Sequence, residues 1–326
     1  MDCYDPVNSR ALNVLLGFEH KIRAFLNSFD QQNLWVYAET QTGRRKRKYS
    51  PSLRQVHVLL RDLLPVASGL RPSCLVDCCA LTKELVELLL DSLTSENESS
   101  QQWFDPIHIR AVLLDGNFFF VNVEAFVREK MVELATGRNE HMYVDVSASL
   151  SLPRLICSTS ETGLERLKVF ADWIVSACRN LLTSTYSRVL EWKRPSTLNA
   201  TALAGILLCY PYVYDIFEDN SITKKGDWSE QKNCLAMCPL YLFQIKALIP
   251  TEQMEIAVQE FSVPQHLLDN DLENEAKIHP VSLLVNFLRA HCKLKLRRAI
   301  ELSCLALTNA QPQVRVDSRM LHRVAL

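Results

Sequence analysis

Ile107-His108-Ile109-Arg110-Ala111-Val112-Leu113-Leu114-Asp115-Gly116-Asn117-Phe118-Phe119-Phe120-Val121-Asn122-Val123 is the stretch on which the fold class turns. Two β-rich runs, 107–114 and 118–123, flank Asp115-Gly116. That pair favours a type I′ turn, because it tolerates positive φ at both central positions. The stretch therefore predicts a β-hairpin, and its neighbours decide what packs on it. Upstream, Pro51 at a first helical position and Leu53, Val56, Leu60 and Leu64 at helical spacing predict a helix that Gly69 ends. Ser73 to Ala80, centred on Cys74-Leu75-Val76, reads as a short buried strand, and Thr82 caps a helix through Ser92. Downstream come a helix over 124–135, a strand at Met142 to Ser147, and a long helix to Leu182 with Thr162 and Glu165 as its capping box. Such alternation is an α/β pattern.

The second half is richer in strands. Leu198 to Cys209 predicts a tightly packed helix, since Ala200, Ala202, Ala204 and Gly205 permit close approach. Tyr212 to Phe217 reads as a strand. Cys234 to Met237, Leu240 to Leu248 and Glu255 to Val263 read as successive strands, the last ended by Pro264. Pro280 opens a long amphipathic helix to Leu307, and 314–316 with 321–326 predict a terminal strand. The expected fold is α/β: a mixed central sheet flanked by helices, with α/β alternation and a hairpin first and an antiparallel meander second.

Residues 1–49 are expected to stand apart from a single α/β domain at 50–326. Leu12, Leu15, Leu16, Ile22, Phe25 and Leu26 give residues 9–28 an amphipathic helical face, a candidate for binding a protein partner. Arg44-Arg45-Lys46-Arg47-Lys48 follows, five like charges in a row that repel one another and read as flexible chain. Three readings of this run stay open: a nuclear localisation signal, a nucleic-acid contact, or a solvated linker. No aromatic interleaving supports stacking on single strands. Ser50-Pro51 beside it is a candidate phosphorylation site.

Composition excludes some partners. Lys+Arg 36 against Asp+Glu 37 leaves a net charge of −1, so the whole-chain field gives no argument for nucleic acid or an anionic membrane. The uncharged stretch from Pro195 to Tyr214 carries Asn199 and Pro211 and makes a poor membrane span. No apolar h-region follows MDCYDPVNSR, so a cytoplasmic chain, with a nuclear pool if the basic run is a signal, is expected. The sequons at Asn97 and Asn199 are then unused. Most of the 11 cysteines sit in apolar runs, which predicts reduced core thiols. Cys234-x₃-Cys238 lacks the matching pair a zinc site needs, and vicinal Cys78-Cys79 is a redox candidate.

Eight glycines leave no phosphate-binding loop, and no nucleophile elbow, kinase set or HExxH occurs. The candidates for chemistry are Asp77 and Asp145, each at the carboxyl end of an expected buried strand, with Ser147 nearby. Ligand crevices of open α/β sheets lie outside those ends. If the strands are parallel neighbours, the carboxylates converge to hold Mg²⁺ or to act as acid and base. Three alternatives stay open: each side chain caps its own loop, the hairpin inserts between the strands, or the two point to opposite faces. No specific cofactor is implied.

Several motifs recur together. They are Ser68-Gly69-Leu70-Arg71-Pro72 with Leu75-Val76-Asp77-Cys78, Tyr143-Val144-Asp145-Val146-Ser147, and Gly205-Ile206-Leu207-Leu208-Cys209-Tyr210-Pro211-Tyr212-Val213-Tyr214. Asn233-Cys234-Leu235-Ala236 with Pro239-Leu240, Phe261-Ser262-Val263-Pro264 and Val324-Ala325-Leu326 complete the order. Over 50–326 the chain resembles the vertebrate chromosome 1 open reading frame 74 family of uncharacterised proteins. The resemblance implies no activity, cofactor or catalytic residue. Two functions remain: a non-catalytic interaction protein, or a small-molecule or divalent-metal-binding enzyme at the strand ends.

Overall fold

Asp115 and Gly116 both take positive φ, 49° and 79°, so the hairpin closes through the turn its sequence demands. A computed structural model of the chain describes residues 36–38, 47–49, 53–94, 108–136, 141–184, 187–216, 233–250, 254–269, 280–301, 307 and 309–320. In chain order they form β1 (Val36–Ala38), β2 (Arg47–Tyr49), α1 (Leu53–Ala67), β3 (Ser73–Leu75), α2 (Lys83–Thr94) and the hairpin β4 (Ile109–Leu114) and β5 (Asn117–Asn122). Then come α3 (Val123–Thr136), β6 (Met142–Asp145), β7 (Arg154–Leu155), α4 (Glu161–Thr183), β8 (Val189–Trp192), α5 (Ala200–Leu207) and β9 (Tyr212–Asp215). The chain continues with β10 (Pro239–Ile249), β11 (Met254–Pro264), α6 (Gln265–Asp269), α7 (Pro280–Glu301) and β12 (Gln311–Met320).

The class is α/β with mixed sheets and a second-half meander. A four-stranded sheet has the order β3-β5-β4-β8, antiparallel except for the parallel pair β4–β8. A three-stranded sheet β7-β6-β9 joins an antiparallel and a parallel pair. The meander is β11-β10-β12, wholly antiparallel. The mixed strands are thus shared between two sheets. The hairpin shows why its runs are almost continuously apolar. Phe118 and Phe120 pack with α1 and α2, while Phe119 and Val121 enter the core shared with α4 and α5. Both faces are buried, so the usual in/out polarity disappears. That shared core also takes Tyr143 of β6 and Val213 of β9. Gly205 lets α5 lie against β9: a Cβ there would meet Val213 Cγ1 at 3.1 Å.

Several local expectations change. Cys234 to Met237 is a turn, with Met237 at φ 62°, and not a strand. The cap of α4 is Ser160, whose Oγ accepts from Gly163 N, rather than Thr162. Arg47 and Lys48 are not in loose chain but in β2, paired antiparallel with Ala38 and Tyr37. Arg44, Arg45, Lys46 and the helix expected at 9–28 lie outside the described residues.

Candidate strand-end site

The parallel pair of β6 and β9 runs in register from Met142↔Tyr212 to Asp145↔Asp215. Neighbouring strands lie about 4.8 Å apart, so two aspartates end adjacent strands side by side. This is the place where open α/β sheets hold ligands. The pairing is not the one expected. Asp77 follows β3, which ends the four-stranded sheet with β5 as its neighbour, whereas Asp145 ends β6 of the three-stranded sheet. Asp77 is exposed, and its charge acts on Tyr210, just before the amino end of β9. Asp145 lies at the opposite, carboxyl end of that strand pair. The strand that Asp145 meets is thus that of Asp215, and Asp77 belongs to another sheet.

Asp215 takes the place of Asp77, and its environment is closed. Arg166, on the second turn of α4, donates from Nε to Asp215 Oδ2 and from Nη2 to Oδ1, both at 2.7 Å. This is the two-pronged fork that suits a guanidinium to a carboxylate. Asn199 Nδ2 also donates to Oδ1, while Asn199 Oδ1 accepts from Ala202 N at 2.8 Å and caps α5. Arg166 Nη1 donates to Thr197 O, and its guanidinium lies 4.9 Å from the Phe170 ring centroid. Asn199, Arg166 and Asp215 are all buried. Burial and these bonds also leave the Asn199 sequon no room for a sugar.

Asp145 is satisfied by its own loop. Its Oδ1 accepts from Ser147 N at 3.0 Å and from Ser147 Oγ at 2.6 Å. Its Oδ2 accepts from Arg154 Nε and Nη2 at 3.2 and 3.1 Å. Ser147 N two residues on makes this an Asx turn, the local use of a short carboxylate. Asp145 and Ser147 are buried, whereas the Arg154 side chain is 64% exposed. Arg154 is thus the one covering group of this carboxylate that water reaches freely. Among the described residues no group of three His, Cys, Asp or Glu could hold a metal ion.

Sequence reasoning missed Asp215, Arg166 and Asn199. A signal existed for the first: Tyr212-Val213-Tyr214-Asp215 repeats the apolar run ending in aspartate of Met142-Tyr143-Val144-Asp145. The arginine and the asparagine come from helices and carry no such mark. Gly163 sets the turn from which Arg166 projects. A Cβ on Gly163 would lie 2.1 Å from Cys157 O and 2.6 Å from Ser160 Oγ. Gly163→Ala must push the first turn of α4 off its cap, and a loss of about 1–3 kcal/mol is expected from such overpacking. Urea denaturation measures it, and an unchanged midpoint would show that the turn yields.

Two further polar clusters are buried outside these strand ends. Lys130 Nζ meets His141 Nε2, and His141 Nδ1 lies 2.6 Å from Tyr210 O. Burial, then the Lys130 charge, hold His141 well below the ordinary histidine range, so it is neutral and donates from Nδ1. Glu129 on α3 pairs with Lys295 on α7 at 2.8 Å. Burial alone would raise Glu129, but the charge and hydrogen bond of Lys295 together with neighbouring charges such as Lys130 outweigh it and the carboxyl is lowered.

A family model described as a domain of unknown function, DUF4504, matches residues 40–282. The chain belongs to this family. The DUF4504 match contains Asp77, Asp145, Arg166, Asn199 and Asp215, and it ends in the first turn of α7. No solved structure matches the chain. Among the described residues no helix is long and apolar enough to cross a membrane.

Proposed function

We propose that this DUF4504 chain is a non-catalytic interaction protein that binds an acidic amphipathic helix along the outer face of α7. One observation carries the reading. Leu283, Phe287 and Leu294 are 52%, 59% and 42% exposed, although they share a helix with the buried Leu288, Cys292 and Leu296. At about 100° per residue the three fall within a sector roughly 40° wide. Folding does not require this second apolar stripe, and rimmed exposed apolar surface is how proteins meet partners. The rim selects the partner. Arg289, Lys293 and Arg297, spaced by four and exposed, run along one side of the stripe. None of the three forms an ion pair among the described residues. A second copy would bring the same cations, so the fitting occupant is a helix with leucine-type residues on one face and carboxylates beside them. Catalysis at the strand ends is disfavoured because Asp145 and Asp215 have their acceptors filled by the chain itself. The same reading takes the protein as intracellular, in keeping with nine described cysteines of which none forms a disulfide. Within DUF4504, the ordered motifs favour membership of the chromosome 1 open reading frame 74 proteins.

The test is fluorescence anisotropy with a labelled model helix carrying leucines at i, i+3, i+4 and i+7 and flanking glutamates. Salt-sensitive binding is expected, weakened roughly tenfold or more by Phe287→Asp and by Lys293→Glu. Absent binding, variants that bind like wild type, or sedimentation with phosphatidylserine vesicles in place of peptide binding would overturn the proposal. Titration calorimetry with Mg²⁺ tests the enzyme alternative: heats lost in Asp145→Asn would revive it.

A further inference from the structure

The loop between β3 and α2 places Cys78 and Cys79 with their sulfurs 3.8 Å apart. Both thiols are half-buried, reached by solvent on one side and packed on the other against the core beneath α1 and α2. The carbonyl of the peptide that joins them is not idle: Cys78 O accepts from Gln55 Nε2, in the first turn of α1, at 2.7 Å. The same stretch holds Cys74, one strand earlier, wholly buried and with its thiol pushed up to about 12 by burial. Cys157 is exposed but has no second thiol beside it in the sequence.

We propose that Cys78 and Cys79 form a peroxide-responsive dithiol that closes to a vicinal disulfide and releases the loop from α1. In the first step the Cys78 thiolate attacks a peroxide oxygen. The O–O bond breaks, hydroxide leaves, and Cys78 becomes a sulfenic acid. In the second, the Cys79 sulfur attacks the sulfenic sulfur, the S–S bond forms, and water departs with the Cys79 proton. Two thiols and one hydrogen peroxide thus give one disulfide and two waters, the peroxide being the oxidant.

Electrostatics at the 3.8 Å contact divides the two roles. The Cys79 contact holds the Cys78 thiol below its ordinary range, against the opposing effects of burial, Asp62 and Asp77. The same contact and burial push Cys79 up. Cys78 is therefore the attacking thiolate and Cys79 the resolving thiol. Adjacent Cα atoms across a trans peptide are about 3.8 Å apart, below the usual disulfide range of about 4.4–6.8 Å. Ring closure must therefore twist the Cys78–Cys79 peptide, and that motion pulls its carbonyl off Gln55. A strained disulfide is also easily reduced, as a reversible signal requires and a structural bridge does not.

The experiment treats the full chain with hydrogen peroxide, alkylates what remains as thiol, and reads tryptic peptide 62–83, in which Arg71-Pro72 resists cleavage. Expected is a loss of two hydrogen masses with a single alkyl group, on Cys74. Dithiothreitol should reverse it. Cys79→Ser should stop at a dimedone-reactive Cys78, and Cys78→Ser should leave Cys79 unoxidised at the same dose. Amide exchange over 53–60 should rise in the oxidised chain and fall back on reduction. Oxidation of Cys157 ahead of the pair, a bridge to Cys74, or sulfinic acid without ring closure would overturn the dithiol. Unchanged exchange in a fully closed chain would overturn the release from α1.

Discussion

Asp215→Ala is expected to cost about 3–5 kcal/mol, the usual penalty for removing one partner of a buried ion pair. The carboxylate is inaccessible to water, and it neutralises an Arg166 guanidinium whose side chain is only 9% exposed. Without it the cation stays buried and uncompensated, and Asn199 loses the acceptor for its amide while it caps α5. Arg166→Met alone should cost a similar amount, because the carboxylate is then the stranded charge. The pair Arg166→Met with Asp215→Leu should recover much of the loss, since two apolar side chains leave no charge behind. Chemical denaturation of the three variants separates the possibilities. Additive losses in the double variant would mean that Arg166 and Asp215 act independently. Asp145→Ala should be milder, about 1–3 kcal/mol, because Arg154 faces water and only the Ser147 donors are stranded.

The second large effect is loss of stability in acid. His291 is lowered to about 4, first by burial and then by the Lys295 charge, with Glu129 opposing and Arg298 adding to the depression. His141 is lowered well below 6.5, first by burial and then by Lys130, with its bond to Tyr210 O opposing. For each, the folded value lies below the unfolded one. Between them the unfolded chain binds more protons, so stability falls as pH falls. For His291 the window runs from about 6.5, where the full stability is present, down to about 4, where the folded protein also takes the proton. Integrated over that window, His291 alone accounts for a loss on the order of 3 kcal/mol. Glu129 is also lowered, so its contribution is lost as pH drops through and below the ordinary carboxylate range. Urea midpoints measured from pH 7.5 to 4.5 should hold down to about 6.5 and then decline, and His291→Gln should flatten the slope by about one proton. A flat profile in the wild type would show that neither histidine is held neutral.

Much of the fold was legible in the sequence because local chemistry specified it. Asp115-Gly116 dictated the turn, and the β-rich runs beside it reported a hairpin. Thr82 caps α2 as read, with Leu85 N bonded to its Oγ1 at 3.3 Å. Pro280 and Pro264 marked the start of α7 and the end of β11. These signals act over a few residues, and a linear string carries them in full.

The candidate site was only half legible. Asp145 and Ser147 are joined as neighbours in sequence, by a turn that a short carboxylate forms with the backbone two residues on. The partner of Asp145 was misread because strand order is not written locally. Asp77 and Asp215 both end apolar runs, and only the sorting of β3 and β9 into different sheets decides between them. Arg166 stands 49 residues from Asp215 in sequence and looks like any polar residue on a helix. Its identity as a buried counter-charge arises only when α4 packs across the end of β9. The sequence by itself determined the hairpin turn, the Thr82 cap, the apolar faces and the class of fold. The tertiary structure alone decided which strand ends meet, which charges are buried together, and that the apolar stripe on α7 is left facing water. Those outcomes depend on long-range packing, where many weak contacts compete and no single residue type announces the winner.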